Sequence, residues 1–436
     1  MFTVKSISTI ALVIWLFLIG FGLSKTAAQQ DARLTEYEKS QATDPIAQLQ
    51  QKIDSGQVKL DYEPQFGWLQ SVLQQLGIAK ESQILTFGKT SFQAPLISPR
   101  KPRAIYFNDK VSVGFVRTGD VLEFASLDPN QGVIFYTLDQ APSREPSFQR
   151  RDSCLQCHMN PATLNVPGLF IRSITAERTG MPVNRGPSFV TDHRSPLKER
   201  WGGWYVTGTH GAQRHMGNTY VQSGDDANFL YDKDTQNQTS LRGRFTLEEY
   251  YSPYSDIVAL MVMEHQTRMT NLLTLAKWEA RKDASKLREL LNKPLINRKQ
   301  TNEEEEDIQS ICEQLIAYML FADEAQLIES VKGVSGYAEW FAKQGPFDGQ
   351  GRSLRQFDLN KRMFQYRCSY LIYTDSFDNL PIEVRAYVYQ RLWDILNGKD
   401  SSHRFDYLPQ KEREAIRDIL IATKKGLPGY WKKTEH

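Results

Sequence analysis

Apolar positions recur every second residue between Arg103 and Asp139, in four runs: AIYF, KVSVGFVR, VLEFASL and VIFYTLD. Alternation of this kind predicts half-buried strands. The separators are Asn108-Asp109, Thr118-Gly119-Asp120 and Asp128-Pro129-Asn130-Gln131-Gly132, all favourable turn sequences. Together they predict an antiparallel meander with one buried face. Upstream, Phe66, Leu69, Val72, Leu73 and Leu76 share one side of a short amphipathic helix over 65–76. Downstream, the period lengthens from Pro253, read as a first-turn proline behind a Ser252 cap. Ile257, Met261, His265, Arg268 and Leu272 then fall on one helical side. A further helix is expected after a Thr301/Glu304 capping box, with a stripe of Ile308, Ile311, Cys312, Leu315, Ile316 and Met319. Residues 159–250 have little period and are rich in Gly, Pro and aromatics. The pattern reads as α+β: a β-meander, an irregular Gly-rich region and a helical C-terminal part.

The ends of the chain add an address and a tether. Ile10 to Leu23 is an uncharged run of 14 residues behind Lys5. That is signal-peptide length, short of the roughly 20 residues that span a bilayer. Thr26 and Ala28 suit a cleavage site, so 1–28 is read as a signal peptide; an uncleaved anchor over 7–24 is the alternative. Either places the rest in the periplasm or another extracytoplasmic space. Residues 29–64 are polar and read as a tether or loose helix. The remainder divides into a β-rich part over 65–294 and a helical domain over 301–436. Lys and Arg number 53 against 51 Asp and Glu among 436 residues, so no basic surface recommends a nucleic-acid partner.

One motif carries specific chemistry. In RDSCLQCHMN, Cys154, Cys157 and His158 form C-x-x-C-H. The spacing brings two thiols to the two vinyl groups of a haem, where they form thioethers, and sets the histidine beneath the iron. With 4 Cys and 7 His in the chain, a random match is expected on the order of once in two thousand such sequences. A zinc site would want a second short-spaced Cys or His pair, and Cys312 and Cys368 stand alone. A redox C-x-x-C would want a thioredoxin-like strand and helix pattern around it. A plain Cys154–Cys157 disulfide would leave His158 without a role. Cys312 and Cys368 are either a disulfide or two buried thiols.

These residues resemble a c-type cytochrome attachment site. The longer pattern, from PRAIYFND through DSCLQCH and TDHRSP to RWGGWYVTGTHG, resembles large exported single-haem proteins with a cytochrome-c-like domain, a family to which no function attaches. The resemblance implies one covalently bound haem c, held by Cys154 and Cys157 with His158 as proximal iron ligand. A small soluble cytochrome c carries its motif near the start of a helical domain; this chain carries it mid-chain, before a Gly-rich segment.

A second axial ligand is expected from His210, His215 or Met216 in the Gly-rich loop, or from His265; Met181, His193 and an open iron come after these. Trp201 and Trp204 are read as core, with a haem face as the alternative. Arg172, Arg185, Arg194, Arg200 and Arg214 are candidates for the haem propionates. The leading expectation is one-electron transfer to a redox partner protein. A peroxidase or oxidase, with His210 or His215 and Arg214 beside an open iron, is the second. A haem-based sensor or binding module is the third. The chain contains no G-x-S-x-G, P-loop, dinucleotide fingerprint or H-E-x-x-H.

Overall fold

The four alternating runs become consecutive strands: β2 (Arg103–Phe107), β3 (Val111–Phe115), β4 (Val121–Asp128) and β5 (Gly132–Asp139). The structure is a computed structural model that describes residues 34–142, 145–221, 233–291 and 307–432. The turns close as their side chains dictate. Asn108 Oδ1 accepts from the amides of Lys110 and Val111, and Asp128 Oδ1 from those of Asn130 and Gln131. With β1 (Ile84–Thr86), β6 (Phe148–Arg150) and β9 (Trp204–Tyr205), they form a seven-stranded antiparallel sheet in the order β6-β5-β4-β3-β2-β1-β9. β7 (Ile171–Ile174) and β8 (Ser188–Thr191) form a separate pair.

The single buried face expected of the meander becomes two. β3 is buried along its whole length and β5 at every residue but the last; β4 alone keeps the alternation. One face, carrying Ser126 and Tyr136, is covered by α1 (Pro45–Asp54). That helix lies in the stretch expected to be a tether or loose helix. Its cap Asp44 holds the amides of Ile46 and Ala47, while Tyr136 donates to the other Asp44 oxygen at 2.6 Å. Ile46 and Leu49 are buried beneath it. Two apolar anchors in a polar decapeptide suffice because the cap is itself built into the sheet. The short helix expected at 65–76 is observed as α2 (Leu69–Gln75). A single helical turn, α3 (Leu155–His158), follows β6.

The opposite face packs against α4 (Ile257–Lys282), through Ile84, Ile105 and Phe107. This helix begins at Ile257 and not at Pro253. Asp256 is the stronger cap: one carboxylate oxygen accepts from the amides of Val258 and Ala259. The other holds the amides of Val334 and Ser335. The expected stripe is present but α4 is buried nearly all round, because α6 (Ile308–Met319) and α8 (Ile382–Leu396) pack against it from the far side. The shorter α5 (Ser285–Leu291) lies against α6 and α8, and α7 (Tyr337–Ala342) against α4. Every member of the expected α6 stripe is buried. Cys312 and Cys368 are buried, unpaired thiols in this core.

The boundary expected near 295–300 and the Thr301/Glu304 box lie outside the described residues, as does the 1–28 signal. Elements on both sides of that boundary share one core. Among the described residues no helix is long and apolar enough to cross a membrane.

Candidate haem-attachment site

The segment after β6 turns back over the α4-facing side of the sheet. The Arg151 amide donates to the Phe135 carbonyl (2.8 Å), and Arg151 Nε to Thr137 Oγ1 (2.9 Å). A 3-10 turn over Asp152–Cys154 leads into α3. Helical spacing sorts this turn into two sides. Leu155 and Met159, four apart, are buried at 6% and 8% exposure and fasten it to the core. Cys154, Cys157 and His158, at i, i+3 and i+4, share the other side. Cys157 is exposed, Cys154 half-buried, and both thiols are unpaired. Burial, reinforced by Glu123, pushes the Cys154 thiol above its ordinary range.

The ten residues after His158 bend back to meet it. The Asn160 side chain accepts from the Ala162 amide, and the Asn160 amide donates to Thr163 Oγ1. Leu164 and Asn165 then adopt positive φ. The returning Gly168 makes two hydrogen bonds with one residue. Its amide donates to the His158 carbonyl, and its carbonyl accepts from His158 Nδ1, each at 3.0 Å. A carbonyl only accepts, so Nδ1 carries the proton and Nε2 is left with its lone pair. Phe135 and Phe170 flank the ring, with centroids at 4.7 and 5.9 Å. Burial pulls the imidazole pKa down to about 4, so the ring is neutral at neutral pH. A neutral imidazole with one nitrogen tied to a carbonyl and the other bearing a lone pair is the form that ligates a metal.

The return loop is held from two elements. Just before Gly168 the Val133 amide, in β5, donates to the Pro167 carbonyl (3.0 Å). At its end Asn271, near the middle of α4, clasps Leu169 by both of its backbone groups. Its Oδ1 accepts from the Leu169 amide (3.2 Å) and its Nδ2 donates to the Leu169 carbonyl (2.7 Å). Gly168 must be glycine for this, since a Cβ there would stand 2.1 Å from Asn271 Oδ1. Composition and spacing did not single out Gly168 or Asn271. The available signals were Pro167-Gly168 in a loop and an amide among apolar neighbours on a helix.

The three motif residues fit a haem better than a zinc ion. Zinc needs about four ligands converging on one point, and among the described residues no three His, Cys, Asp or Glu side chains are so grouped. Haem attachment asks the opposite: two thiols for the ring edge and one imidazole for its centre.

The four expected distal ligands are not among the side chains that touch His158. His265 lies in the α4–α6 core. Its Nδ1 meets His193 Nδ1 at 2.8 Å and its Nε2 meets Ser369 Oγ at 2.8 Å. Burial lowers the pKa of both rings, that of His265 to about 3. His210 and His215 pack edge to face, 4.8 Å apart and buried. His210 Nε2 accepts from the Asn237 amide, and His215 Nδ1 from the Gly217 amide. Met216 is 1% exposed, its sulfur 3.6 Å from Ser173 Oγ. Met181 is 49% exposed on a surface turn.

The glycines of RWGGWY serve the small sheet: a Cβ on Gly202 would stand 2.3 Å from the Ile174 carbonyl. Trp201 and Trp204 are core. Of the five expected propionate arginines, Arg194 pairs with Asp192, Arg200 with buried Glu264, and Arg172 bonds Ser188. The guanidinium whose charge reaches His158 is that of Arg103, paired with Glu123, its Nε without a partner among the described residues. No family model, no curated protein and no solved structure matches this chain.

Proposed function

We propose that this chain carries one haem c, attached through Cys154 and Cys157 with His158 as proximal ligand, and exchanges single electrons with a partner protein. The observation that carries the reading is the His158 Nδ1–Gly168 hydrogen bond. It leaves Nε2 unprotonated and fixes the ring's orientation. A bound haem supplies a one-electron iron couple whose potential its surroundings set. Cys154 and Cys157 hold it, His158 orients it, and Phe135 and Phe170 exclude water from the ligating ring. Arg103 offers a guanidinium for a propionate. The exposed surface around Cys157 is the approach for the redox partner. Thioether formation on an exported chain agrees with the apolar run at 10–23, and we place the working protein outside the cytoplasm.

A second reading follows from the engagement of His210, His215, Met216 and His265 elsewhere. The iron's far side is then open to a small exogenous ligand, as a sensor or peroxidase needs. Visible spectra of protein from a host that matures c-type haem separate the two. Haem that stays bound after denaturation, seen as a pyridine complex, is the expected result; its release rejects the proposal. A reduced spectrum unmoved by carbon monoxide supports the carrier. A shifted one supports the open iron.

A further inference from the structure

We propose that Asn271 is a positioning residue for the proximal histidine: by clasping the Leu169 peptide it aims the Gly168 carbonyl at His158 Nδ1. The inference rests on His158 being the iron ligand. Asn271 is 1% exposed in α4, and its amide spends an acceptor on the N–H and a donor on the C=O of one residue, Leu169. A buried amide satisfied in this way has one geometry, since any rotation leaves a donor or an acceptor unpaired. The Leu169 amide it holds shares a peptide plane with the Gly168 carbonyl that His158 uses. Gly168 completes the fit, its missing Cβ admitting Asn271 Oδ1.

The Pro167 carbonyl stays tied to Val133 and the Gly168 amide to the His158 carbonyl. Losing Asn271 therefore loosens the aim of one carbonyl and does not release the loop. A hydrogen bond from Nδ1–H to a carbonyl makes the imidazole a stronger donor through Nε2. A stronger donor favours the oxidised metal. Weakening that bond raises the reduction potential, and α4 thus sets the potential from the far side of the loop.

The test uses the full chain with its haem attached. Asn271→Leu keeps the side chain's bulk and removes both hydrogen bonds. Asn271→Asp, at acid pH where a buried carboxyl is protonated, supplies the same acceptor and one donor. Midpoint potential and ferric electron paramagnetic resonance are read with haem content. The expected result is a positive shift in potential and altered g-values for Asn271→Leu at unchanged haem content, with Asn271→Asp at acid pH restoring the wild-type values. Should Asn271→Leu not fold, Asn271→Ala takes its place. Wild-type potential and g-values in a haem-loaded variant lacking both bonds overturn the role of Asn271 and leave the haem reading standing. Wild-type protein without covalent haem overturns both.

Discussion

Adding a single methyl group at Gly168 is the sharpest test of how the return loop is held. In Gly168→Ala the new Cβ would stand 2.1 Å from Asn271 Oδ1 and 2.8 Å from its Cγ, where an ordinary contact begins at 3.4 Å. One side must give by about 1.3 Å, the difference between 2.1 and 3.4 Å. Asn271 can give only by abandoning its bonds to Leu169. Overpacking of this kind costs roughly 1–3 kcal/mol. A buried polar group left without its partner costs about 1–3 kcal/mol more. The expected destabilisation is about 3 kcal/mol, within the summed range of roughly 2–6. Gly168 has no positive φ, so backbone strain adds nothing.

If the collision is with Asn271, removing that side chain removes it. In an Asn271→Ala background, Gly168→Ala should cost no more than about 1 kcal/mol, the residual of ordinary repacking. The coupling is then about 2 kcal/mol, well above the roughly 0.5 kcal/mol within which independent sites add. Urea unfolding of the two single variants and the double variant, followed by far-ultraviolet circular dichroism, measures it. Additive costs would mean that something other than Asn271 demands glycine at position 168, and would refute the reasoning.

Three further outcomes are expected. Cys154→Ala and Cys157→Ala each keep haem through the remaining thioether, and the double variant yields it to acidified organic solvent; a double variant that retains it would place the attachment elsewhere. Asp256→Ala strips the cap from α4 together with the hold on Val334 and Ser335. It should lower unfolding stability by about 2 kcal/mol, a cap of about 1 plus the loss of two part-buried amide bonds; a loss under about 1 would mean water replaces the carboxylate. Lys277 is buried in α4, donates to the Pro129 and Ser376 carbonyls, and burial lowers its pKa to about 8 from 10.5. Between those values the unfolded chain binds more protons, so stability rises with pH across that window. The gap from about 8 to 10.5 corresponds to roughly 3 kcal/mol that wild type gains and Lys277→Met does not; parallel pH profiles for the two proteins would show that Lys277 keeps an ordinary pKa.

Much of the fold was legible because it is written in side chains. The four strands and their turns came from alternation interrupted by Asn108, Gly119 and Asp128, and the α6 stripe from helical spacing. The second cover of the sheet was not legible. α1 has two buried apolar residues in ten, and its anchorage is a carboxylate on a tyrosine 92 positions away. The start of α4 was misplaced because Ser252 and Asp256 are both good caps, and the choice is made by the Val334 and Ser335 amides. The motif pointed directly to Cys154, Cys157 and His158. The partner of His158 was invisible because it is a main-chain carbonyl, and the residue that carries it is recognisable only by what it lacks. The distal candidates are buried with partners of their own, because histidine and methionine in a glycine-rich loop also serve as ordinary filling for a tight core.

The return loop also sets an order of events in the making of the protein. The two cysteines and His158 leave the ribosome with Gly168 ten residues behind and Asn271 another 103 behind that. Until α4 has emerged and docked, nothing clasps the Leu169 peptide, and the attachment turn is open to whatever machinery handles the nascent or newly delivered chain. Once α4 is in place, the same turn is backed by a finished core. On the proposed haem reading, the cofactor would meet a pliable substrate first and a rigid holder afterwards, with the interval between the two set by the linear distance from residue 158 to residue 271.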